Sequence, residues 1–469
     1  MSRTAAFATT TATSPTGYLS SLCLFAVVAL CPLLFGSTDI VVLALWCVVL
    51  GISLVFAPTS TLRYPHFVII VVAGAVSVAC AFVLHEQLSA RPLVAYPHPL
   101  WADAGRILAT DIEPSVSIAR NQPILALGAP LACMLALMCG CIICADRHRA
   151  RQLIYVIALS GLMYAIFGIG SYLIDPTKVL WREKEAHREA LTAVFLNRNT
   201  AATYFGSCAI IWSLISAEQI QELLLKTRAE ARSISSGIFW SMPRRIVLSI
   251  FAMFVCLIAV FMTHSRAGIV LTLAALIAAP LIYFRKYLDF HRRGIMVLLA
   301  GAILAVLLLV LMGQQVIGRL SGLGLADQVR METYRSTLRL IGEHPWFGTG
   351  LGTFPWSFPE FRSADVSVWG IFDRAHNTLL EIAAELGVPF TGIIVVSWIG
   401  ALCVLVRGMM RRRRELIVPF CAFFVSLLAL CHSLVDFSLQ IPGYAIVVFS
   451  LLGAGLAQSF NSVADAAER

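Results

Sequence analysis

The run His66-Phe-Val-Ile-Ile-Val-Val-Ala-Gly-Ala-Val-Ser-Val-Ala-Cys-Ala-Phe-Val-Leu84 contains no Asp, Glu, Lys or Arg from end to end. A bilayer core of roughly 30 Å takes about 20 apolar residues as helix, so this run has the length and chemistry of one membrane crossing. It lacks the strict alternation of a barrel strand, and an open sheet edge cannot sit in lipid, which leaves a helix. Similar runs lie near 18–36, 39–57, 123–145, 152–174, 200–217, 245–263, 268–284, 295–312, 378–406, 416–435 and 442–459. The expected fold class is therefore all-α: a polytopic integral membrane protein of about twelve transmembrane helices. Composition agrees, with 59% hydrophobic and 13% charged residues and a mean hydropathy of +0.84. A water-soluble globule needs about twice that density of charge.

Lys and Arg in short loops mark the cytoplasmic side. The deciding runs are Arg147, Arg149 and Arg151; Arg244 and Arg245; Arg285, Lys286, Arg292 and Arg293; and Arg411 to Arg414. With twelve spans all four fall on one face together with both termini. The expected layout is a cytoplasmic tail 1–17, a nine-span bundle 18–312 with a cytoplasmic loop 218–244, an outside loop 313–377 between spans nine and ten, three C-terminal spans 378–459 and a tail 460–469. The net charge of +9 is no argument for nucleic acid, because the inside clusters are topogenic and interspersed with spans. The 13 cysteines lie in or at the ends of apolar runs, so disulfides are not expected. Cys139, Cys141 and Cys144 read as packing residues and not as a metal site.

Three outside segments are long enough to carry function: about 85–122, 175–199 and 313–377. The first reads as a short helix flanked by irregular chain, with no assigned chemistry. Inside, 218–232 reads as an amphipathic helix lying on the anionic leaflet. No internal repeat marks an inverted-repeat transporter.

The outside loops are unusually rich in arginine. Arg330-Met-Glu-Thr-Tyr-Arg-Ser-Thr-Leu-Arg339 lacks Gly and Pro and reads as a helix, closed by Gly342-Glu-His344-Pro345 and a tightly turning Gly348-Thr-Gly350-Leu-Gly352. The chain then re-enters the membrane through Asp373-Arg374-Ala-His376-Asn377-Thr-Leu-Leu-Glu381-Ile-Ala-Ala-Glu385. Asn197-Arg198-Asn199 stands at the mouth of the sixth span, and Arg266 in the turn between the seventh and eighth. The arginine fork binds phosphate oxygens bidentately and keeps its charge, so a diphosphate is the natural target. His376 takes a proton near neutral pH, which suits activation of a hydroxyl nucleophile. No Asp/Glu cluster with metal-ligand spacing appears outside, and no cofactor is expected. Trp346, Phe354, Trp356, Phe358 and Trp369 read either as sugar-stacking surfaces or as the loop's own core.

These residues resemble the bacterial O-antigen ligase and polymerase superfamily, exopolysaccharide polymerases included. The resemblance rests on Phe195 to Ala202 (FLNRNTAA), Thr263 to Gly268 (THSRAG), Arg330 to Phe354, and His376 to Gly387 (HNTLLEIAAELG). Arg339 and Gly350, and likewise His376 and Gly387, bracket ten residues, similar to that family's Arg and His loop motifs. The turn reads Ser-Arg-Ala-Gly where many relatives have Ser-Arg-Gly-Ala.

The resemblance implies a glycosyltransferase of the bacterial inner membrane, metal-independent and inverting. It would move a glycan from an undecaprenyl-diphosphate-linked oligosaccharide donor to a hydroxyl of a glycan, lipid A-core or protein acceptor, on the periplasmic side. The loop 313–377 then carries the catalysis. Arg266, Arg330 and His376 are the expected catalytic residues, and Arg339, Arg198, Arg374, Asn197, Asn199, His344, Asn377 and Glu381 the expected substrate-binding ones. The alternative is a transporter or flippase for the same lipid-linked sugars, which would need paired charges deep in several spans.

Overall fold

The computed structural model describes residues 15–229, 243–285, 325–364, 366, 372–412 and 416–460. The chain forms α1 Pro15–Leu30, α2 Ile40–Val55, α3 Tyr64–Leu88, α4 Leu100–Leu108, α5 Gln122–Ala126, α6 Gly128–Ile143 and α7 Arg147–Ile174. A small antiparallel hairpin, β1 Lys178–Val179 with β2 Arg182–Glu183, follows and pairs Lys178 with Glu183. Then come α8 Arg198–Ala229, α9 Arg244–Met262, α10 Arg266–Tyr283, α11 Leu325–Glu343, α12 Phe354–Phe361, α13 Thr378–Leu386, α14 Val388–Arg411, α15 Ile417–Ser433 and α16 Pro442–Ala457. The short 3-10 turn Ser438–Gln440 joins the last two.

Among the described residues, 7 helical stretches are long and apolar enough to cross a membrane: α3, Gln122–Ile143, α7, Arg198–Lys226, α9, α10 and α14. Shorter apolar helices occupy α1, α2, α15 and α16. Each falls on an expected span, and the protein is a multi-pass membrane protein. The expected span 295–312 lies outside the described residues.

The core is organised about α8, which is buried from Thr200 to Glu218 between α7, α9, α10 and α15. Its Tyr204, Phe205 and Trp212 meet Phe195, Tyr164 and Tyr444 in one apolar cluster. The closest helix pair is α6 with α16. A Cβ on Gly140 would stand 2.2 Å from the Ser450 carbonyl oxygen, and one on Gly453 2.2 Å from that of Leu137. Lipid gives helices no hydrophobic reason to associate, so backbone-close contacts of this kind carry the packing. By contrast α3 and α14 leave most of their surface uncovered, with Val71, Val78, Phe82, Val396 and Ile399 exposed, as befits helices solvated by lipid.

The basic runs gather at one end of the bundle. Arg149 bonds Ser21 at the start of α1, Arg151 pairs with Glu218, Arg245 with Glu222 (3.2 Å), and Arg412 with Gln458. Arg285 donates to the Met409 carbonyl (3.2 Å) at the end of α14. Glu218 and Glu222 are thereby tied into the bundle, so α8 does not break at Glu218. The expected separate surface helix from 218 is, through Ala229, a continuation of the span.

A second correction concerns 378–406, expected as one span. The structure breaks it into α13 and α14 at Gly387, whose φ of 86° and ψ of 160° lie in a region open essentially to glycine alone. A Cβ there would sit 2.1 Å from the Trp346 carbonyl oxygen, and Pro389 starts the next helix. The break lets the chain ahead of the span lie against the glycine-rich run.

Candidate functional site

At the opposite end of the bundle, the starts of α8 and α10 abut. A Cβ on Gly268 would come 2.5 Å from that of Ala202, so Arg266, one residue after the capping Ser265, stands beside the mouth that carries Arg198. The Leu191 amide donates to the Met262 carbonyl (2.9 Å) and holds the 175–197 segment against the same turn. Asn197 caps α8 by accepting from the Asn199 amide (2.7 Å).

The residue that gathers these mouths is Asp436, in the turn after α15 and 1% exposed. Asn199 Nδ2 donates to its Oδ2, and Arg330 Nη2 on α11 stands 4.0 Å from the same oxygen. The Phe437 amide donates to Oδ1 (2.7 Å), and Thr378 Oγ1 donates to the Asp436 carbonyl (3.3 Å). Tyr334, one turn beyond Arg330, donates its hydroxyl to the His376 carbonyl (2.9 Å). Asn377 Oδ1 caps α13 by accepting from the Leu379 and Leu380 amides, while its Nδ2 donates to the Leu434 carbonyl (2.9 Å).

His376 has φ 55°, in the left-handed region; His187 (59°) and His264 (54°) share it. Histidine enters that region more readily than most residues. The His376 ring lies 5.3 Å from Phe437, centroid to centroid, and its Nδ1 is buried with no hydrogen-bond partner among the described residues. Burial holds its pKa below the ordinary imidazole value; Asp436 pulls it back up and Arg330 presses it down. Burial also takes His187 down to about 4, with Arg198 acting in the same direction and Asp436 and His376 within electrostatic reach. A neutral imidazole beside a buried carboxylate is the state a general base needs.

Arg374 Nη1 donates to Glu381 Oε1 (3.0 Å) and Gln440 Oε1 (3.2 Å), and the Ala375 amide donates to Glu381 Oε2 (2.8 Å). Glu381, 2% exposed, is thus fully engaged inside the protein and acts as the anchor of Arg374.

The glycine-rich run explains the matched spacing of the two loop motifs. The Thr349 and Gly350 amides donate to the Ala384 and Glu385 carbonyls (2.9 and 3.1 Å), and the Val388 amide to that of Pro345 (2.8 Å). The Phe354 amide donates to Glu385 Oε1 (3.0 Å). Leu340, Phe354, Phe358, Ala375 and Ala384 close a separate core under this cap. Phe354 and Phe358 therefore belong to the loop's own packing, while Trp346 and Trp356 are exposed; Trp369 lies outside the described residues.

Of the expected site residues, the structure brings Arg198, Asn197, Asn199, Arg266, Arg330, Arg374, His376, Asn377 and Glu381 to one end of the bundle, with Asn199 and Arg330 on the Asp436 carboxylate itself. Two stand apart. Arg339 lies nine residues beyond Arg330, about 13 Å along the helix and half a turn round it, where it bonds Ser336 (3.2 Å). His344 Nε2 meets His98 Nε2 at 3.2 Å, in the 85–122 segment. Sequence reasoning missed Asp436, Tyr334 and His187. For Asp436 a signal existed: it is the sole carboxylate between Glu415 and Asp465, on the side of the arginines.

A comparison with curated proteins found no match. Residues 251–395 match the family model described as O-Antigen ligase. That stretch holds Arg266, Arg330 and His376, whereas Asn199 and Asp436 fall outside it. Over this region, about a third of the chain, the protein is similar to the O-antigen ligase family, a family of glycosyl-transferring enzymes of glycan assembly.

Proposed function

We infer that the protein joins an undecaprenyl-diphosphate-linked oligosaccharide to an acceptor hydroxyl at the periplasmic face of the bacterial inner membrane, with both termini cytoplasmic. The observation that carries this reading is the convergence of Arg330, Asn199 and Thr378, two residues after His376, on buried Asp436, at the end of the bundle opposite the basic runs. Arg330, Arg266 and Arg198 supply fixed positive charge for a diphosphate at the membrane boundary. Arg374, held by Glu381 and Gln440, lines the same rim.

In this mechanism His376 takes the proton of the acceptor hydroxyl as its oxygen bonds the anomeric carbon. The bond from that carbon to the diphosphate oxygen breaks on the opposite face, which inverts the centre, and the arginines stabilise the departing diphosphate. Asp436 steadies the imidazolium that forms. Arginine charge takes the place of a divalent metal in stabilising the leaving group. Asn197, Asn199, Asn377 and Glu381 hold the frame, and the acceptor is a glycan, lipid A-core or protein.

Purified protein in vesicles with lipid-linked repeat units alone, read on a gel, tests the reading. A ladder identifies a polymerase, and product only after lipid A-core is added identifies a ligase. No joining with any of the three acceptor classes contradicts the proposal.

A further inference from the structure

Helix α4 has no buried residue. At 100° per residue, Leu100, Ala104, Ile107 and Leu108 share one face and Ala102 points away from it, with Asp103 and Arg106, an ion pair, between them. Ile107 is 83% and Leu108 66% exposed. Just upstream, Leu93 and Val94 are exposed as well, and Tyr96 is 91% exposed. An apolar face left open in water carries a free-energy cost, so something covers it.

The depth of this patch is fixed by Glu86, in the last turn of the lipid-facing α3. Its carboxylate accepts from the Leu93, Val94 and Ala95 amides at 3.1, 2.8 and 2.9 Å. Leu93 and Val94 are therefore pinned within hydrogen-bond reach of a span's end, and α4 begins at Leu100. On α3 itself, Phe82 and Val78, one and two turns before Glu86, are exposed as well. Arg91 supplies positive charge beside the patch, and Tyr96 is a side chain suited to the headgroup layer.

We propose that α4, with Leu93, Val94 and Tyr96, seats in the headgroup layer of the adjacent leaflet as an interfacial anchor for the cap. The anchor reaches the site through the segment's other contacts. The Ile118 amide donates to the Thr349 carbonyl (3.0 Å), and Gln87 Nε2 donates to the Phe347 and Glu385 carbonyls (2.7 Å each). Lipid thus braces the glycine-rich run from outside. The inference rests on the membrane reading and not on the chemistry of transfer.

The test is site-directed spin labelling of the full chain in vesicles of phosphatidylethanolamine and phosphatidylglycerol. Ile107→Cys and Ala102→Cys are compared in a Cys403→Ser background, with the unsubstituted background labelled as a blank. The expected result is a label at 107 that is several-fold less accessible to an aqueous nickel chelate than the label at 102. It should also be relaxed by oxygen and sit about 5–10 Å into the headgroup and acyl boundary. Equal access of the chelate to both positions overturns the proposal. So does a label at 107 shielded from both chelate and oxygen, which would place a protein partner or a second copy on this face.

Discussion

Asp436 combines near-complete burial with a bond from Asn199 and a guanidinium at 4.0 Å. A carboxylate so placed fixes the charge balance around His376. His376→Ala removes the base, and we expect turnover to fall by about 10²–10⁴-fold with membrane insertion intact. Because burial depresses the His376 pKa, the neutral base persists below the ordinary imidazole range. Activity then falls only as the medium is acidified past that lowered value. Asp436 opposes the depression, so Asp436→Asn lowers turnover and moves the acid limb of the pH–rate profile to still lower pH. An unchanged or raised limb would remove Asp436 from this role. Arg330, Arg266 and His376 were legible as residues because arginine outside the membrane is anomalous. Asp436 offered only the signal of a lone acid between apolar spans, because its partners Asn199 and Arg330 are distant in sequence and give it no spacing to read.

The elements that carry these side chains are held by backbone contacts more than by side chains. Gly387→Ala puts a Cβ against the Trp346 carbonyl and into a backbone region that costs of order 1–3 kcal/mol or more for other residues. The expected outcome is a lower unfolding temperature with the cap detached first, read by hydrogen exchange over 345–352. The His98–His344 pair adds a pH dependence. The Leu100 amide donates to His98 Nδ1 (3.2 Å), so the neutral His98 ring carries its proton on Nε2 and gives it to His344 Nε2. Burial lowers both pKa values, that of His98 from 6.5 to about 4. A lowered folded-state value means that the unfolded segment binds more protons in that window. The contact's contribution is thus full above about 6.5 and is lost as pH falls toward about 4. Hydrogen exchange at 349–351, corrected for intrinsic rate, should rise on acidification, and His98→Phe should abolish that rise. The helix 330–339 and the turning glycines were legible from composition. The break at 387 was not, since hydropathy runs through it, and neither was the docking of 85–122, whose contacts come from Gln87, His98 and Ile118, residues with no spacing to read.

Across the whole molecule the span pattern was the most legible feature, because lipid imposes length and apolarity on each crossing independently of the others. The basic runs Arg149, Arg151, Arg245, Arg285 and Arg412 do meet at one end. Arg285 and Arg330, which flank the expected span 295–312, lie at opposite ends. What hydropathy could not supply was adjacency: that the mouths of α8, α10 and α15 and the loop helix α11 stand around one carboxylate. The central claim is that this gathering transfers glycan. Its most direct measurement is joining of undecaprenyl-diphosphate-linked oligosaccharide to acceptor by reconstituted protein in the presence of EDTA, comparing the parent with Arg330→Ala and His376→Ala. The parent should form product, while both variants insert and join glycan at least about 10²-fold more slowly. Normal joining by both variants, or loss of the parent's activity on chelation, would contradict it.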